Sequence, residues 1–212
     1  MDQRSAEWYT QKLGRISGTR FAAAMGSNKR KCTLANTLIY ERGLLKQPTE
    51  LQAYIDKQMG TDFKAGKYGR ENEDKAIAMY ELLNDVAVSH AGFVIHPEHN
   101  FIGVSPDGYL EDRVIEVKCP MSSNDHGYAL HFGIPEQYIP QVQGNTWVLG
   151  KLKADYLSFD IRQHNKANAL KVVPAKLDKK FINNLEQSCI EINKWVVDGN
   201  VPRETSDIPD LF

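Results

Sequence analysis

A chain of 212 residues, 42% hydrophobic and 25% charged, has the makeup of an ordinary globular protein with a sizeable core. No stretch approaches the roughly 18 apolar residues of a membrane span, and the N-terminal "MDQRSAEWYT" has no apolar signal core, so neither a membrane partner nor export is expected. A net charge of −1 argues against holding a polyanion by overall charge; a nucleic-acid partner would have to meet cations gathered on one surface.

The predicted elements run as follows. "RSAEWYTQKLGR" (4–15) reads as a short helix ending at Gly14, and "SGTRFAAAMG" (17–26) as a second, with Ser17 as N-cap and Gly26 as stop. Helical spacing returns at 33–45 (Leu34, Leu38, Leu44, Leu45), and after Pro48 at 50–59. Residues 69–83 form a strong amphipathic helix with Ile77, Tyr80 and Leu83 along one face. Residues 1–83 are thus mainly helical. The pattern then changes: 85–97 is β-like with a turn, and "NFIGVSPDGYL" and "RVIEVKCP" are short runs rich in Val and Ile, joined by "EDR" (111–113), a connection of hairpin length. Residues 135–150 return to helix, with a kink at Pro140. Strands follow at 154–161 and 168–175, then a long helix over 177–199 stopped by Gly199, and a polar, loose tail. The expected fold is a single α/β (α+β) domain over 1–212, with a central mixed sheet over 85–199 flanked by helices.

Cys32, Cys119 and Cys189 are dispersed and odd in number, which fits neither a disulfide framework nor a four-cysteine metal site and suggests a reducing, cytoplasmic compartment. Candidate cation clusters are Lys29–Arg30–Lys31, then Lys64, Lys67 and Arg70, then Lys151 and Lys153. His90, His96, His99, His126 and His131 show no ligand spacing and read as loop or interface residues. Trp147 and Trp195 read as core, and Trp8 and Cys119 also as buried apolar groups.

The chemistry concentrates in 101–120. Glu116 and Lys118 lie two apart on a strand and share a face with Val114, while Ile115 and Val117 point into a core. A hairpin at 111–113 brings Asp107, at the end of the preceding strand, beside Glu116. Two carboxylates and an ammonium in one small space suit Mg²⁺, which takes one or two carboxylates and fills its shell with substrate phosphate and water. Such a metal polarises a phosphoryl oxygen and lowers the pKa of bound water. The lysine would orient or deprotonate that water, its own pKa lowered by nearby cations. Glu73, with Glu71 and Asp74, stands in the first turn of the 69–83 helix, where the helix dipole favours acidic residues; one of them could still reach the metal.

"SPDGYL", "IEVKCP" and "YIPQVQGNTW", with "EWYTQKLGRISGTRF" and "GRENEDKAIAMYE" in the same order, resemble the phage lambda-type alkaline exonucleases, the viral recombinase branch of the PD-(D/E)xK nucleases. The resemblance covers most of 7–150. It implies a restriction-endonuclease-like core and a Mg²⁺-dependent 5′→3′ exonuclease that degrades one strand of linear duplex DNA, leaving a 3′ overhang for single-strand annealing. It implies Asp107, Glu116 and the Val117 carbonyl as metal ligands, with Glu73 in support directly or through water. Lys118 would be the catalytic lysine, and Gln141 the glutamine near the attacking water. Lys12, Ser17, Thr19 and Ser105 would form a 5′-phosphate pocket; Lys12 replaces an arginine and lacks its bidentate fork. The strand-separating wedge falls near Gly66, with Phe63 or Met59 as substitutes. Mn²⁺ would replace Mg²⁺, and Ca²⁺ would bind without supporting cleavage. A homotrimeric ring, a phage single-strand annealing partner and the cytoplasm of a bacterial host complete the expectation. The rivals are a PD-(D/E)xK endonuclease and a catalytically silent DNA-binding or assembly protein of this fold.

Overall fold

Ser5 opens the first helix: its side chain accepts from the Trp8 amide at 3.2 Å and caps α1 (Ala6–Lys12). The computed structural model describes residues 3–61 and 64–202, so the expected tail and Phe63 lie outside the described residues. The second helix expected over 17–26 is largely replaced. Ile16–Ser17 forms strand β1, Gly18–Arg20 a 3₁₀ turn, and the helix shrinks to α2 (Phe21–Ala24). Ser17 makes no capping bond. Ile16 and Phe21 are both fully buried, so strand pairing and core packing override local helix propensity here.

Three longer helices follow: α3 (Asn28–Leu44), α4 (Pro48–Gly60) and α5 (Lys64–Asn84). Helix α5 buries Asn72, Ala76, Ile77 and Tyr80, but Leu83 is 64% exposed. The buried stripe therefore passes to one side of the face expected from the sequence. In the β-like region 85–97 only Val94–Ile95 (β2) forms a strand, with a lone bridge from Ser89 to Tyr109.

The expected mixed sheet flanked by helices is present as the larger of two mixed sheets. The first has the order β1–β3–β2, with β3 (Ile102–Val104) parallel to β1 and antiparallel to β2. The second has the order β4–β5–β6–β7, from β4 (Gly108–Tyr109), β5 (Arg113–Lys118), β6 (Lys153–Phe159) and β7 (Leu170–Lys176). Ser105, Pro106 and Asp107 separate the sheets, and Pro106 has no N–H to continue a ladder.

Strands β5 and β6 run parallel, which requires a crossover. It is made by α6 (Ser123–Phe132) and α7 (Ile139–Val148). Helix α6 has no clean apolar period in the sequence, and Ser122 caps it by accepting from the Asn124 amide. Pro140 sits in the first turn of α7, where it displaces no intrahelical bond, so the expected kink is not needed. Helix α5 covers one face of the second sheet, packing Ala76, Ile77 and Tyr80 on Ile115, Val117, Leu157 and Phe159. The crossover covers the other with Ala129 and Val142 against Val114, Ala154 and Tyr156. A further core joins α2, α3, α7 and α8 (Lys179–Asp198) to the first sheet. Trp147 and Trp195 pack at its edge.

Helix α7 contributes to two of these three clusters, Val142 to the crossover face and Val148 to the core on the first sheet. Gly144 lies against the Phe21 ring so closely that a methyl group there would stand 2.2 Å from ring carbons. The better helix propensity of alanine, worth about 1 kcal/mol, cannot offset such an overlap. One histidine departs from the loop or interface reading, and a second, His96, lies in a loop but is buried. His126 is fully buried in α6, bonded to Ser158 Oγ (2.8 Å) and the Asn168 carbonyl (2.8 Å). His96 is buried and its Nδ1 accepts from the amides of Glu98 and His99. Both are structural polar groups with satisfied partners. Among the described residues, no helix is long and apolar enough to cross a membrane.

Candidate metal and phosphate site

The β4–β5 register, Gly108 opposite Ile115 and Tyr109 opposite Val114, places Asp107 alongside Glu116 and Val117. Its Oδ2 accepts from the Val117 amide at 2.6 Å. Glu116 is fully buried (0% exposed) on the α7 side of the strand. Its Oε1 accepts from the Lys118 ammonium, and its Oε2 from Asn145 Nδ2 at 2.7 Å. The ammonium also donates to the Val117 carbonyl at 3.2 Å and stands 5.4 Å from the Tyr138 ring centre. Tyr138 in turn stacks on Tyr156, the residue paired with Glu116 on β6. The pattern of side-chain faces expected for β5 holds throughout.

Glu73 is not in a first turn. Helix α5 begins at Lys64, so Glu73 lies in its third turn and the helix dipole does not account for it. It faces the carboxylates instead. Burial pushes its carboxyl up to about 7, and repulsion from Asp107 adds to this. Burial likewise pushes Glu116 to about 8, against the pull of Lys118, with Asp107 and Glu73 raising it further. Asp107 is raised by burial, offset by Lys118 and the Val117 amide. Lys118 moves opposite to the sequence expectation: despite burial, Glu116 and Asp107 hold its pKa above the usual lysine value. This cluster has more acid than its one ammonium can neutralise, a setting that attracts a further cation.

The second group lies on the first sheet. Strand β1 pairs Ser17 with Gly103, two residues before Ser105. Ser105 Oγ accepts from Trp8 Nε1 at 3.0 Å and donates to the Gly92 carbonyl at 3.2 Å. Ser17 Oγ is 3.5 Å from Thr19 Oγ1. The Lys12 ammonium lies 4.6 Å over the Trp8 ring, so Trp8 is both buried and part of this group. Burial and the nearby Arg20 lower Lys12 to about 8, with Glu41 opposing.

One cavity of about 760 Å³ joins the two groups. Lys12, Ser17, Thr19, Ser105, Glu73, Asp107, Val117, Lys118 and Gln141 all line it, and Glu116 lies buried behind Lys118. Of the candidate cation clusters, the cavity takes Arg70; Lys31 pairs with Glu191 and Lys153 with Asp112. Gly66 also lines it, while Met59 is exposed near the end of α4. Arg4 and Asp125 also line it without having been marked by any motif, and Tyr138, the first residue of "YIPQVQGNTW", lines it without having been assigned a role. Arg4 has a left-handed backbone (φ +68°) and acts electrostatically on Glu73, Asp107 and Lys12. Asn145 was also missed, although it lies one helical turn beyond Gln141 and hence on the same face.

Among the described residues, no three His, Cys, Asp or Glu side chains form a self-sufficient metal cage. The donors here are acidic oxygens and a main-chain carbonyl opening onto a cavity that can admit phosphate and water. That donor set fits Mg²⁺, which is seldom enclosed by protein ligands alone.

The model of the YqaJ-like viral recombinase domain matches residues 7–152. The chain belongs to this family. Among solved structures, it is similar to an alkaline exonuclease (LHK-Exo) from Laribacter hongkongensis, with a TM-score of 0.79 and 23% identity over 92% of this chain and 94% of that one. The same enzyme in complex with dAMP gives a TM-score of 0.80, again at 23% identity over 92% and 94% of the two chains. A phage-related exonuclease from Haemophilus somnus gives 0.53 at 18% identity, over 65% of this chain and 73% of that one. These likenesses establish the exonuclease-type α/β fold. An uncharacterized protein of Acanthamoeba polyphaga mimivirus is 26% identical over 89% of this chain. This chain spans 35% of that relative's length.

The carboxylates carry a stability cost that can be measured. Glu73 has a folded value near 7 against 4.5 in an unfolded chain, so stability is lost as pH rises from 4.5 through about 7. Glu73→Gln should therefore raise the unfolding free energy at pH 8 by about 1 kcal/mol, below the full linkage value because the side chain is partly open to solvent. At pH 5 the variant and the parent should melt nearly alike. Denaturant unfolding at the two pH values checks this, and a variant destabilised at pH 8 would refute the charge assignment.

Proposed function

We propose that this protein is a Mg²⁺-dependent 5′→3′ exonuclease that digests one strand of linear double-stranded DNA and leaves a 3′ single strand. The observation that carries the reading is the single cavity in which an acidic, metal-suited group and a cation–hydroxyl group face one another. The first suits a scissile phosphodiester and the second a terminal phosphate. A structural neighbour in complex with dAMP, a nucleoside monophosphate of the kind released by digesting DNA from an end, adds support.

Asp107, Glu116 and the Val117 carbonyl would hold the metal, with Glu73 in support. When bound, Mg²⁺ polarises the phosphate and makes a water acidic. Lys118, kept charged by its carboxylates, orients that water with Gln141 and stabilises negative charge as it develops on phosphate oxygens. Lys12, Ser17, Thr19 and Ser105 hold the 5′-phosphate and so set which bond lies over the carboxylates. The product suits recombination in a host cytoplasm by a single-strand annealing protein, the class that consumes a 3′ overhang.

Asp107→Ala or Glu116→Ala should lower DNA digestion on the order of 10³-fold or more, and Lys118→Ala should lose most turnover while still binding metal. Mn²⁺ should substitute for Mg²⁺, and Ca²⁺ should bind without cleavage. Digestion should rise between pH 6 and 8, because protons on Glu73 and Glu116, held to about 7 and 8, compete with the metal. Closed circular DNA should survive. Its cleavage would favour the endonuclease reading, while a normal rate for Lys118→Ala would defeat the residue roles.

The terminal pocket gives the opposite pH sign. Duplexes with 5′-phosphate should be cut faster than those with 5′-hydroxyl, by about tenfold or more for one charge-assisted contact. In kcat/KM this preference should fall as pH rises through about 8, where Lys12 of the free enzyme loses its proton. Lys12→Ala should remove most of the preference. An equal loss on both substrates would reassign Lys12 to general binding or folding.

A near-neutral chain can concentrate its cations by assembly. We infer a ring of three subunits with heterologous interfaces, in which three cavities face a shared channel and the product strand stays threaded. Light scattering should give three times the 24.0 kDa protomer mass. A monomer that digests long tracts in the presence of competitor DNA would overturn the ring.

A further inference from the structure

The amide of Asn145 is fully buried, and its two polar atoms are treated unequally. Nδ2 donates to Glu116 Oε2 at 2.7 Å. Oδ1 is buried and, among the described residues, has no hydrogen-bond partner. Leaving a buried acceptor unmet is costly, and it is the bond to Glu116 that keeps the amide turned this way. The main chain of Gly18 lies close to the unmet oxygen. A methyl group on Gly18 would lie 2.6 Å from Asn145 Oδ1 and 3.5 Å from Gln141 Cγ. Gly18 stands between Ser17 and Thr19, at the start of the turn that carries both hydroxyls. Asn145 is therefore wedged between the main chain of the phosphate turn and the carboxylate of the metal group.

Residue chemistry explains the choice. Lys118 occupies Glu116 Oε1, leaving Oε2 facing into a closed interior. A donor is needed there, but Asp107, Glu73 and Lys118 already crowd the space with charge. A neutral amide supplies the bond without adding to them. Position 145, one turn after Gln141 on a helix that packs in two of the three cores, makes the donor rigid.

We propose that Asn145 is a positioning residue that orients the Glu116 carboxylate and, through contact with Gly18, fixes it relative to the Ser17–Thr19 turn. This rests on the metal-and-phosphate reading given above. Outer partners of metal-binding carboxylates govern affinity by holding the ligand in place. Here the partner also spans two subsites carried by different sheets.

The test is a titration of Mn²⁺ into the full chain, followed by calorimetry in the absence of DNA, with kcat and KM on linear duplex measured alongside. Asn145→Leu and Asn145→Ala should each weaken Mn²⁺ binding about 10–100-fold and lower kcat with little change in KM. Gly18→Ala, which alters no metal ligand, should weaken Mn²⁺ binding about threefold or more by pushing on Oδ1. In the Asn145→Ala background, where Oδ1 is gone, Gly18→Ala should cost nothing further. Wild-type Mn²⁺ affinity in the Asn145 variants, or additive losses in the cycle, would overturn the proposal. If the Asn145 variants do not fold, Gly18→Ala alone decides: unchanged affinity overturns it. A parent protein that neither binds Mn²⁺ nor digests DNA would instead defeat the underlying functional reading, and this inference with it.

Discussion

A carboxylate in the middle of a buried strand must be paired, and the arrangement around β5 follows from how Glu116 is paired. Its neighbours Val114, Ile115 and Val117 make β5 an ordinary core strand. Lys118 reaches back along the same face to neutralise it, and the crossover helix α7 supplies the Asn145 donor. The outer edge of the strand is finished unusually. Strand β4 is only two residues long, so the Val117 amide is left beyond the ladder and is taken by the Asp107 side chain. The same bond that caps the sheet edge brings the second carboxylate to the first. Burial, capping and the acidic cluster are one arrangement.

That arrangement is paid for in stability. Three acidic side chains press on one another where water is scarce, and each is held above its usual range chiefly by burial. A well-packed apolar cluster would be a safer core. Strongly perturbed carboxylates in a cleft mark a site whose charge has work to do on something that enters it. The other buried acids differ. Asp155 is met by Tyr80 and Arg113, Asp160 by Arg162, Ser123 and Gln163, and Glu41 by Arg20 and the Gly14 amide. These are partnered structural charges, and none of them opens onto the cavity.

The β5 face pattern, the hairpin contact of Asp107 and the long helices could be read from periodicity, because period 2 and period 3.6 are local properties of the chain. Placement of Lys12, Ser17, Thr19 and Ser105 around one cavity rested on the family resemblance, since nothing local joins residue 12 to residue 105. The misreadings share a cause. Residues 17–26 are good helix formers, yet Ile16–Ser17 pairs with β3 because a distant strand is available. Glu73 looked like a first-turn acid because the amphipathic pattern was read only from Gly69, whereas the helix begins at Lys64. Asn145 was passed over because an asparagine in a helix carries no chemical signature until the carboxylate opposite it is known.

The tripeptide Ser105–Pro106–Asp107 belongs to neither sheet yet holds one residue of each subsite. Its span is fixed: two peptide units reach at most about 7 Å, and proline removes one of the remaining rotations. The chain therefore has very uneven latitude for changes in length. The loop between β6 and β7, around residues 161–169, could gain residues at little entropic cost. One residue added to the tripeptide would shift Asp107 out of register with Val117 or carry Ser105 away from Trp8. Homologues that keep both subsites should vary in length in the first place and not in the second.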